Sequence, residues 1–221
     1  GAGLKEIKEG TAVYTKNGEE DTLDGDAILL ATGRGPNTEG LHAERAGVEL
    51  TKRGAVVTDK HLRTTAENIW AAGDVCGNLQ FTYISLDDSR IILSDMQGDG
   101  SRTTENRGAF AYSVFMEPSF SRAGLSEKEA ADKGLNYRVV RMNTDMIPKA
   151  KVLRKTTGML KAVIDKDSGK ILGAALFCPE SYEIINMVKL AMDHDLDYTV
   201  LRDFIYTHPT MSEGLNDLFA L

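Results

Sequence analysis

The sequence predicts an α/β segment followed by an α+β domain with an antiparallel sheet, and three observations indicate this order. Residues 27–31 form an apolar run between Gly25 and Gly33, which is typical of an interior strand in a covered sheet. In the second half, short β-like runs alternate with helical segments, as they do in α+β domains. The polar, glycine-containing stretch 97–107 lies between the α/β segment and the α+β part and predicts a domain boundary.

The other elements of the first half follow from turn residues and periodicity. Asn17-Gly18 tolerates positive φ and predicts a hairpin between the extended runs on either side, 11–14 and 22–23. The remaining expected elements are strands at 55–58 and 69–72 and, from apolar residues at helical spacing, a helix over 84–96.

The second half shows both strand and helix signals. Strands are predicted at 112–116, 137–142, 160–164 and 171–177, the last two joined as a hairpin. Ser126 with Glu129 matches the capping-box pattern and predicts a short helix that ends at Lys133. Ser181 is expected to cap a longer helix that runs to about His194.

Composition and charge exclude several classes of protein. The 221 residues include 26 Lys and Arg against 33 Asp and Glu, a net charge of −7, so the positive field that nucleic acid or an anionic membrane requires is absent. No apolar stretch approaches the ~20 residues that span a bilayer, and the first residues lack the apolar core of a signal peptide. We therefore expect a cytoplasmic protein with no nucleic-acid or membrane partner.

The two cysteines do not form a redox or metal motif. Cys76 and Cys178 lie far apart in the sequence, which predicts neither a disulfide framework nor a C-x-x-C metal site, and both are expected to be small buried residues. No G-x-G-x-x-G follows a strand, because the nearest candidates, at 1–3 and 33–35, lack the third glycine. No residue is predicted to bind a metal.

Two glycine turns that follow apolar runs are candidate ligand-binding positions. Gly73-Asp74 places a carboxylate at the end of a strand, where such a side chain can accept hydrogen bonds from sugar hydroxyls. Gly33 lies in the segment A-T-G-R-G-P-N, whose backbone is suited to a position near a cofactor phosphate. Taken alone, each pattern is also typical of an ordinary turn.

The segment T-H-P-T-M-S-E near the C-terminus supplies a candidate acid–base pair. His208 precedes a proline, which biases its backbone to an extended conformation and holds it out of a helix. Glu213 is expected in the first turn of a terminal helix capped by Thr210 or Ser212, from which it can fold back to orient the imidazole. A histidine with a neighbouring carboxylate is suited to general acid–base catalysis, although a lone histidine of this kind is more often a surface residue.

Together and in this order, the three motifs resemble the C-terminal half of the flavin-dependent pyridine nucleotide-disulfide oxidoreductases, the family of glutathione reductase, dihydrolipoamide dehydrogenase and mercuric reductase. The stretches 81–88 and 208–219 are similar to the branch linked to reactive-chlorine resistance and cupric ion reduction. Mercuric reductases end in a cysteine pair, whereas this sequence ends L-F-A-L, so mercury is not expected as the substrate.

The resemblance implies a role for individual residues. Asp74 would hold the ribityl chain of FAD. The full set of implied cofactor-binding residues is Gly33, Gly73, Asp74, Phe81 and Thr82. His208 would be the catalytic histidine, oriented by Glu213 and reaching across a homodimer to the redox cysteines of the partner subunit.

The resemblance also divides the chain into three parts. Residues 1–30 would be the tail of the NAD(P)-binding domain, 31–105 the second part of the FAD-binding domain, and 106–221 the interface domain through which a homodimer forms. The implied parent protein uses FAD and NAD(P)H and passes electrons through a redox cysteine pair to a disulfide or a metal ion.

Several parts of the family pattern lie N-terminal to every motif present here. These are the two glycine loops and the redox cysteine pair, so we interpret the chain as an inactive fragment of such an enzyme. The alternative is a non-catalytic homodimerisation module that binds no cofactor in this form. A third interpretation is a generic α/β domain in which the three motifs are coincidental.

Overall fold

The computed structural model describes residues 1–221 and divides into two units, Gly1–Asp88 and Ser89–Leu221. The boundary falls inside a helix, α1 (Thr82–Gln97), which matches the helix predicted over 84–96. The three-part division at residues 30 and 105 stays a prediction.

The first unit begins with a three-stranded antiparallel sheet. Its strands are β1 (Ala2–Lys8), β2 (Thr11–Lys16) and β3 (Glu19–Asp24), in that spatial order. Asn17 and Gly18 both have positive φ, at 54° and 87°, and connect β2 to β3 in the register Lys16↔Glu19. The hairpin predicted from the Asn-Gly pair is therefore confirmed, whereas β1 was not predicted.

The interior strand predicted at 27–31 is wrong. This segment has no regular secondary structure, and its leucines are exposed, Leu29 at 89% and Leu30 at 64%. An interior strand needs a neighbouring strand on each side, and β1, β2 and β3 pair only with one another. The strands expected at 55–58 and 69–72 are each reduced to one isolated bridge, Leu50↔Val56 and Arg63↔Trp70.

The second unit contains a five-stranded antiparallel sheet in the order β4-β5-β8-β7-β6. Its strands are β4 (Ala111–Val114), β5 (Phe120–Gly124), β6 (Tyr137–Asn143), β7 (Met159–Asp165) and β8 (Ile171–Phe177). Four of the five were predicted, and the β7–β8 hairpin is confirmed. The sequence of β5, F-S-R-A-G, was missed because only Phe120 and Ala123 in it are apolar.

Five further helices belong to the second unit: α2 (Glu127–Asp132), α3 (Pro148–Leu153), α4 (Ser181–Asp193), α5 (Thr199–Asp203) and α6 (Gly214–Ala220). Alternate residues of the sheet, such as Leu160 and Leu176, share one buried apolar cluster with Val188 of α4 and Phe219 of α6. The predicted α+β domain with an antiparallel sheet is thus present. No helix combines the length and apolar character needed to cross a bilayer.

The expectation that Ser181 caps α4 is wrong. Glu180 is the residue before the first turn, and Ser181 is fully buried as the first helical residue. Its hydroxyl is instead part of a buried chain, 2.8 Å from the hydroxyl of Ser121 and 2.9 Å from that of Ser119. A buried hydroxyl must find a partner, and here the sheet supplies it in place of the helix backbone.

The capping box that begins α2 is confirmed and makes a testable contribution to stability. The Glu129 carboxylate accepts a hydrogen bond from the Ser126 backbone N–H (2.7 Å), and the Ser126 hydroxyl accepts one from the Glu129 N–H (3.2 Å). Bonds from Ser126 and from the Arg122 guanidinium lower the pKa of Glu129 to about 2.

Because this pKa is depressed in the folded protein, the stabilisation is present above the unfolded pKa near 4.5 and is lost as the pH falls toward about 2. We expect Glu129→Gln to destabilise the chain at pH 7, and the difference from the unsubstituted protein to shrink below about pH 4. Urea unfolding across this pH range measures it, with Glu183→Gln on the exposed side of α4 as the matched control. A difference that is the same at pH 7 and pH 3 would contradict the assignment.

Candidate functional site

The structure brings His208 and Glu213 together near the C-terminus. Nδ1 of His208 lies 2.9 Å from Oε2 of Glu213. The imidazole is 70% exposed, whereas the Glu213 side chain is only 13% exposed. The carboxylate therefore holds the ring from the protein side, and Nε2 is the nitrogen left to meet a group from outside.

Local hydrogen bonds shape the loop that carries this pair. The Thr210 hydroxyl donates to the carbonyl oxygen of Thr207 (2.8 Å) and accepts from the backbone N–H of Glu213 (3.3 Å). The peptide bond between His208 and Pro209 is cis. Glu213 was expected inside the first turn of the last helix, but it is the residue just before α6, which begins at Gly214. The predicted cap of the last helix by Thr210 or Ser212 is wrong, because the N-cap residue of α6 is Glu213 and no side chain caps it. The Thr210 hydroxyl instead accepts from Glu213 itself, three residues further along the chain.

The second oxygen of Glu213 is unusual. Oε1 is buried and has no hydrogen-bond partner within the chain. A buried acceptor without a donor costs free energy, and native structures contain few of them. The position of the carboxylate is thus set by its Oε2 bond to His208 and by the packing of α6, since no second donor holds it.

In the first unit, Gly73 and Asp74 form the start of a single 3-10 turn, Gly73–Cys76. Gly73 has φ of 73°, and its N–H donates to the Asp88 carboxylate at 2.8 Å. A Cβ at this position would lie 2.7 Å from the hydroxyl oxygen of Ser85, so glycine is required both for the backbone conformation and for the close approach to α1.

The turn leaves the Asp74 carboxylate accessible beside a second predicted motif. Its side chain is 47% exposed, and Oδ2 lies 3.9 Å from Nη1 of Arg34, which is 77% exposed. Arg34 follows Gly33, whose φ is 103° and whose Cα has no atom near the position that a Cβ would take. The two glycine turns predicted as candidates therefore lie side by side at Asp74.

Phe81 and Thr82 lie at the start of α1. Thr82 is its first residue, and the Phe81 carbonyl oxygen accepts from the N–H groups of Ile84 and Ser85 at 2.9 and 3.2 Å. Phe81 is 38% exposed. Both residues follow the Asp74 turn along the chain, whereas Gly33 lies on a separate loop whose Arg34 approaches Asp74.

These residues fit one part of a flavin. A half-exposed carboxylate can accept hydrogen bonds from the hydroxyls of a ribityl chain, and Gly33 offers an unobstructed backbone. An exposed carboxylate beside an arginine does not by itself form an enclosed pocket. The assignment of Asp74 as an anchoring group for FAD stays a prediction.

Two contributors were not predicted. Asp88 is 3% exposed and fixes Gly73 from within the predicted helix, and Arg34 approaches Asp74 from another loop. The signal for Asp88 was an adjacent pair of acidic residues, Asp87-Asp88, inside an otherwise amphipathic helix. No sequence signal indicates the contact of Arg34, because it depends on the fold.

No group of three or more His, Cys, Asp or Glu side chains in the described chain could hold a metal ion. Both cysteines are free and buried, as expected. Burial raises the pKa of the Cys178 thiol to about 12, which keeps it protonated at neutral pH.

Two family models match the chain. Residues 1–89 match pyridine nucleotide-disulphide oxidoreductase, and residues 110–219 match the dimerisation domain of pyridine nucleotide-disulphide oxidoreductase. The first contains Gly73 and Asp74, and the second contains His208 and Glu213.

Curated relatives and solved structures agree with these models. The chain is 52% identical to the probable pyridine nucleotide-disulfide oxidoreductase RclA of Escherichia coli K12, over 92% of this chain and 46% of that protein. It is 35% identical to a mercuric reductase of Staphylococcus aureus, over 93% of this chain and 38% of that protein. It superimposes with a TM-score of 0.88 and 48% identity on a Cu(II) complex of the HOCl-induced flavoprotein disulfide reductase RclA from Escherichia coli, over 97% of this chain and 48% of that one. The chain thus spans about half the length of the relatives it matches, or less.

Proposed function

The chain belongs to the pyridine nucleotide-disulphide oxidoreductases, and from this premise we propose that it is the C-terminal half of an FAD-dependent enzyme that oxidises NAD(P)H. In this proposal electrons pass through a redox cysteine pair, outside this chain, to a disulfide or a metal ion. The observation that carries the proposal is the His208–Glu213 pair, in which an exposed imidazole is held at 2.9 Å by a mostly buried carboxylate.

The pair is equipped to manage a thiol proton. As an imidazole, His208 accepts a proton from a thiol through Nε2, and as an imidazolium it stabilises the thiolate that remains. Glu213 orients the ring through Nδ1, which leaves Nε2 of the exposed imidazole for the thiol. In a homodimer formed through residues 106–221, this nitrogen would meet the redox cysteines of the partner subunit.

Asp74 has a different task. Its carboxylate would accept hydrogen bonds from the ribityl hydroxyls of FAD, with Gly33, Gly73, Phe81 and Thr82 around it. Flavin, when bound, supplies the hydride and electron chemistry, and the protein supplies binding and orientation. Asp74 lies beside Arg34 and has no role in moving a proton.

Two classes of electron acceptor fit the proposal equally. The solved relative is described both as a disulfide reductase and as a Cu(II) complex. In this proposal a metal ion would be reduced as a substrate.

A second candidate concerns the chain taken by itself, as a dimerisation module that binds no cofactor. The exposure of Leu29 and Leu30 in a segment without strand partners favours it, because such a segment needs neighbouring strands to be covered.

One set of measurements tests both candidates. We expect the full-length protein to bind flavin, to lose its visible flavin absorbance on anaerobic addition of NADH or NADPH, and to recover it with a disulfide or Cu(II). We expect the 221-residue chain to be a colourless dimer in sedimentation velocity. A flavin in the full-length protein that neither nucleotide reduces contradicts the enzyme, and stoichiometric flavin in the 221-residue chain contradicts the module.

A further inference from the structure

The five-stranded sheet has a second face, opposite the apolar cluster, that lines a cleft. One face of the sheet packs against α4 and α6, as described above. The other face and the start of α2 enclose a cleft of about 410 Å³, within the ~300–1,000 Å³ range typical of small-molecule sites. None of the residues placed in the proposed redox function lies in it.

Strand register places three cationic side chains in one row across this face. Arg141 is directly opposite Lys161, Lys161 is opposite Ala175, and Ala175 is opposite Arg122. Like charges directly opposite each other destabilise a sheet, so such a row needs anions to balance it.

The carboxylates near this row neutralise its three positive charges only in part. Glu129 accepts from Arg122 at 2.7 Å, and Glu127 accepts from Arg141 at 2.6 Å through Oε2. Lys161 reaches the same Oε2 atom only at 3.5 Å. Two carboxylates thus serve three cations, and Lys161 has only a long, shared contact.

The space above Ala175 is apolar and unfilled. Ala175 has the smallest side chain of the row and lies between Lys161 and Arg122, so the cleft opens between the two cations. Phe120, Met159 and Phe177 form the neighbouring row, because Met159 pairs with Phe177 and Phe177 with Phe120. The cleft therefore combines an apolar wall with an excess of positive charge at its side.

From this arrangement we propose that the cleft binds a small amphipathic carboxylate. Its carboxylate group would lie at Lys161, and its aliphatic or aromatic body would lie over Ala175 against Phe120, Met159 and Phe177. Charge complementarity and apolar contact both require one ligand that carries one anionic end and one apolar end.

Octanoate and 1-octanol, which differ in the anionic group, test the proposal on the 221-residue chain. In methyl-detected NMR, we expect octanoate to shift the signals of Met159, Val163 and Ala175 in a saturable way. We expect 1-octanol to bind about tenfold more weakly than octanoate. Lys161→Gln is expected to lower the affinity for octanoate by about tenfold. The reason for both is that a hydrogen bond to a charged group changes affinity by about a factor of ten.

Matched variants separate this site from general binding to exposed apolar surface. Lys133→Gln makes the same charge change at the exposed end of α2 and is expected to leave octanoate affinity within about twofold. Ala175→Leu fills the cleft on the face away from the apolar cluster and is expected to abolish the shifts while the circular dichroism spectrum is retained. Octanoate shifts that map to other methyl groups, or equal affinity in Lys161→Gln and the unsubstituted chain, would overturn the proposal.

Discussion

Replacement of His208 by glutamine is expected to slow turnover of the full-length flavoprotein by about 10²- to 10⁴-fold, the range that a positioned acid–base group contributes. Glutamine keeps the size and polarity of the side chain but cannot accept and return a proton. Asp74, the proposed flavin anchor, belongs to a different set of residues, so flavin content should stay close to that of the unsubstituted protein. Steady-state oxidation of NAD(P)H with a disulfide acceptor measures turnover, and visible absorbance measures flavin.

Two further variants sharpen this test. Glu213→Gln keeps a hydrogen-bond partner for Nδ1 and should reduce kcat less than His208→Gln, with KM for NAD(P)H unchanged, as expected of a positioning residue. His194→Gln makes the same substitution at the end of α4 and should leave kcat unchanged. Unchanged turnover in His208→Gln, or loss of flavin in step with activity, would remove the assigned role.

Replacement of Phe219 by alanine should lower the free energy of unfolding of the second unit by about 3–5 kcal/mol, as large-to-small substitutions of buried aromatic residues do. Phe219 is 1% exposed, belongs to the main apolar cluster, and has its ring 6.2 Å from that of Tyr198. Guanidinium unfolding at a fixed protein concentration measures the change.

The control for this prediction is Phe115→Ala, because Phe115 is fully exposed in the chain. It should change the unfolding free energy by less than about 0.5 kcal/mol. If Phe219→Ala lowers the unfolding free energy no more than Phe115→Ala does, α6 does not pack against the sheet as described. Since Glu213 directly precedes α6, a loosened helix would also disturb the His208–Glu213 distance.

The parts of the fold that were predicted correctly depend on interactions between near neighbours in sequence. Asn17-Gly18 determines its own turn, and Ser126 with Glu129 determines the start of α2. The incorrect strand at 27–31 has a different origin. Its apolar run has the composition of an interior strand, but strand formation needs partner strands that the run itself does not specify.

The candidate site also combines contacts between near neighbours in sequence, which were predicted, with contacts between distant segments, which were not. His208 and Glu213 are five residues apart, and a proline-containing loop that leads into a helix brings them into contact. The contacts of Asp88 with Gly73 and of Arg34 with Asp74 join distant segments. The acidic pair Asp87-Asp88 draws attention to Asp88 but does not indicate its partner, and no pattern indicates the contact of Arg34. The open cleft over Ala175 likewise became visible only when the strand register was known.

The state of Cys178 has a consequence for chemical selectivity. Burial raises the pKa of this thiol to about 12, so it stays protonated at neutral pH, and thiolates rather than thiols attack disulfides. Cys178 is also fully enclosed at the end of β8. In the proposed enzyme, a second reactive cysteine would compete for thiol exchange at the redox pair. Burial therefore keeps Cys178 from reacting with disulfides.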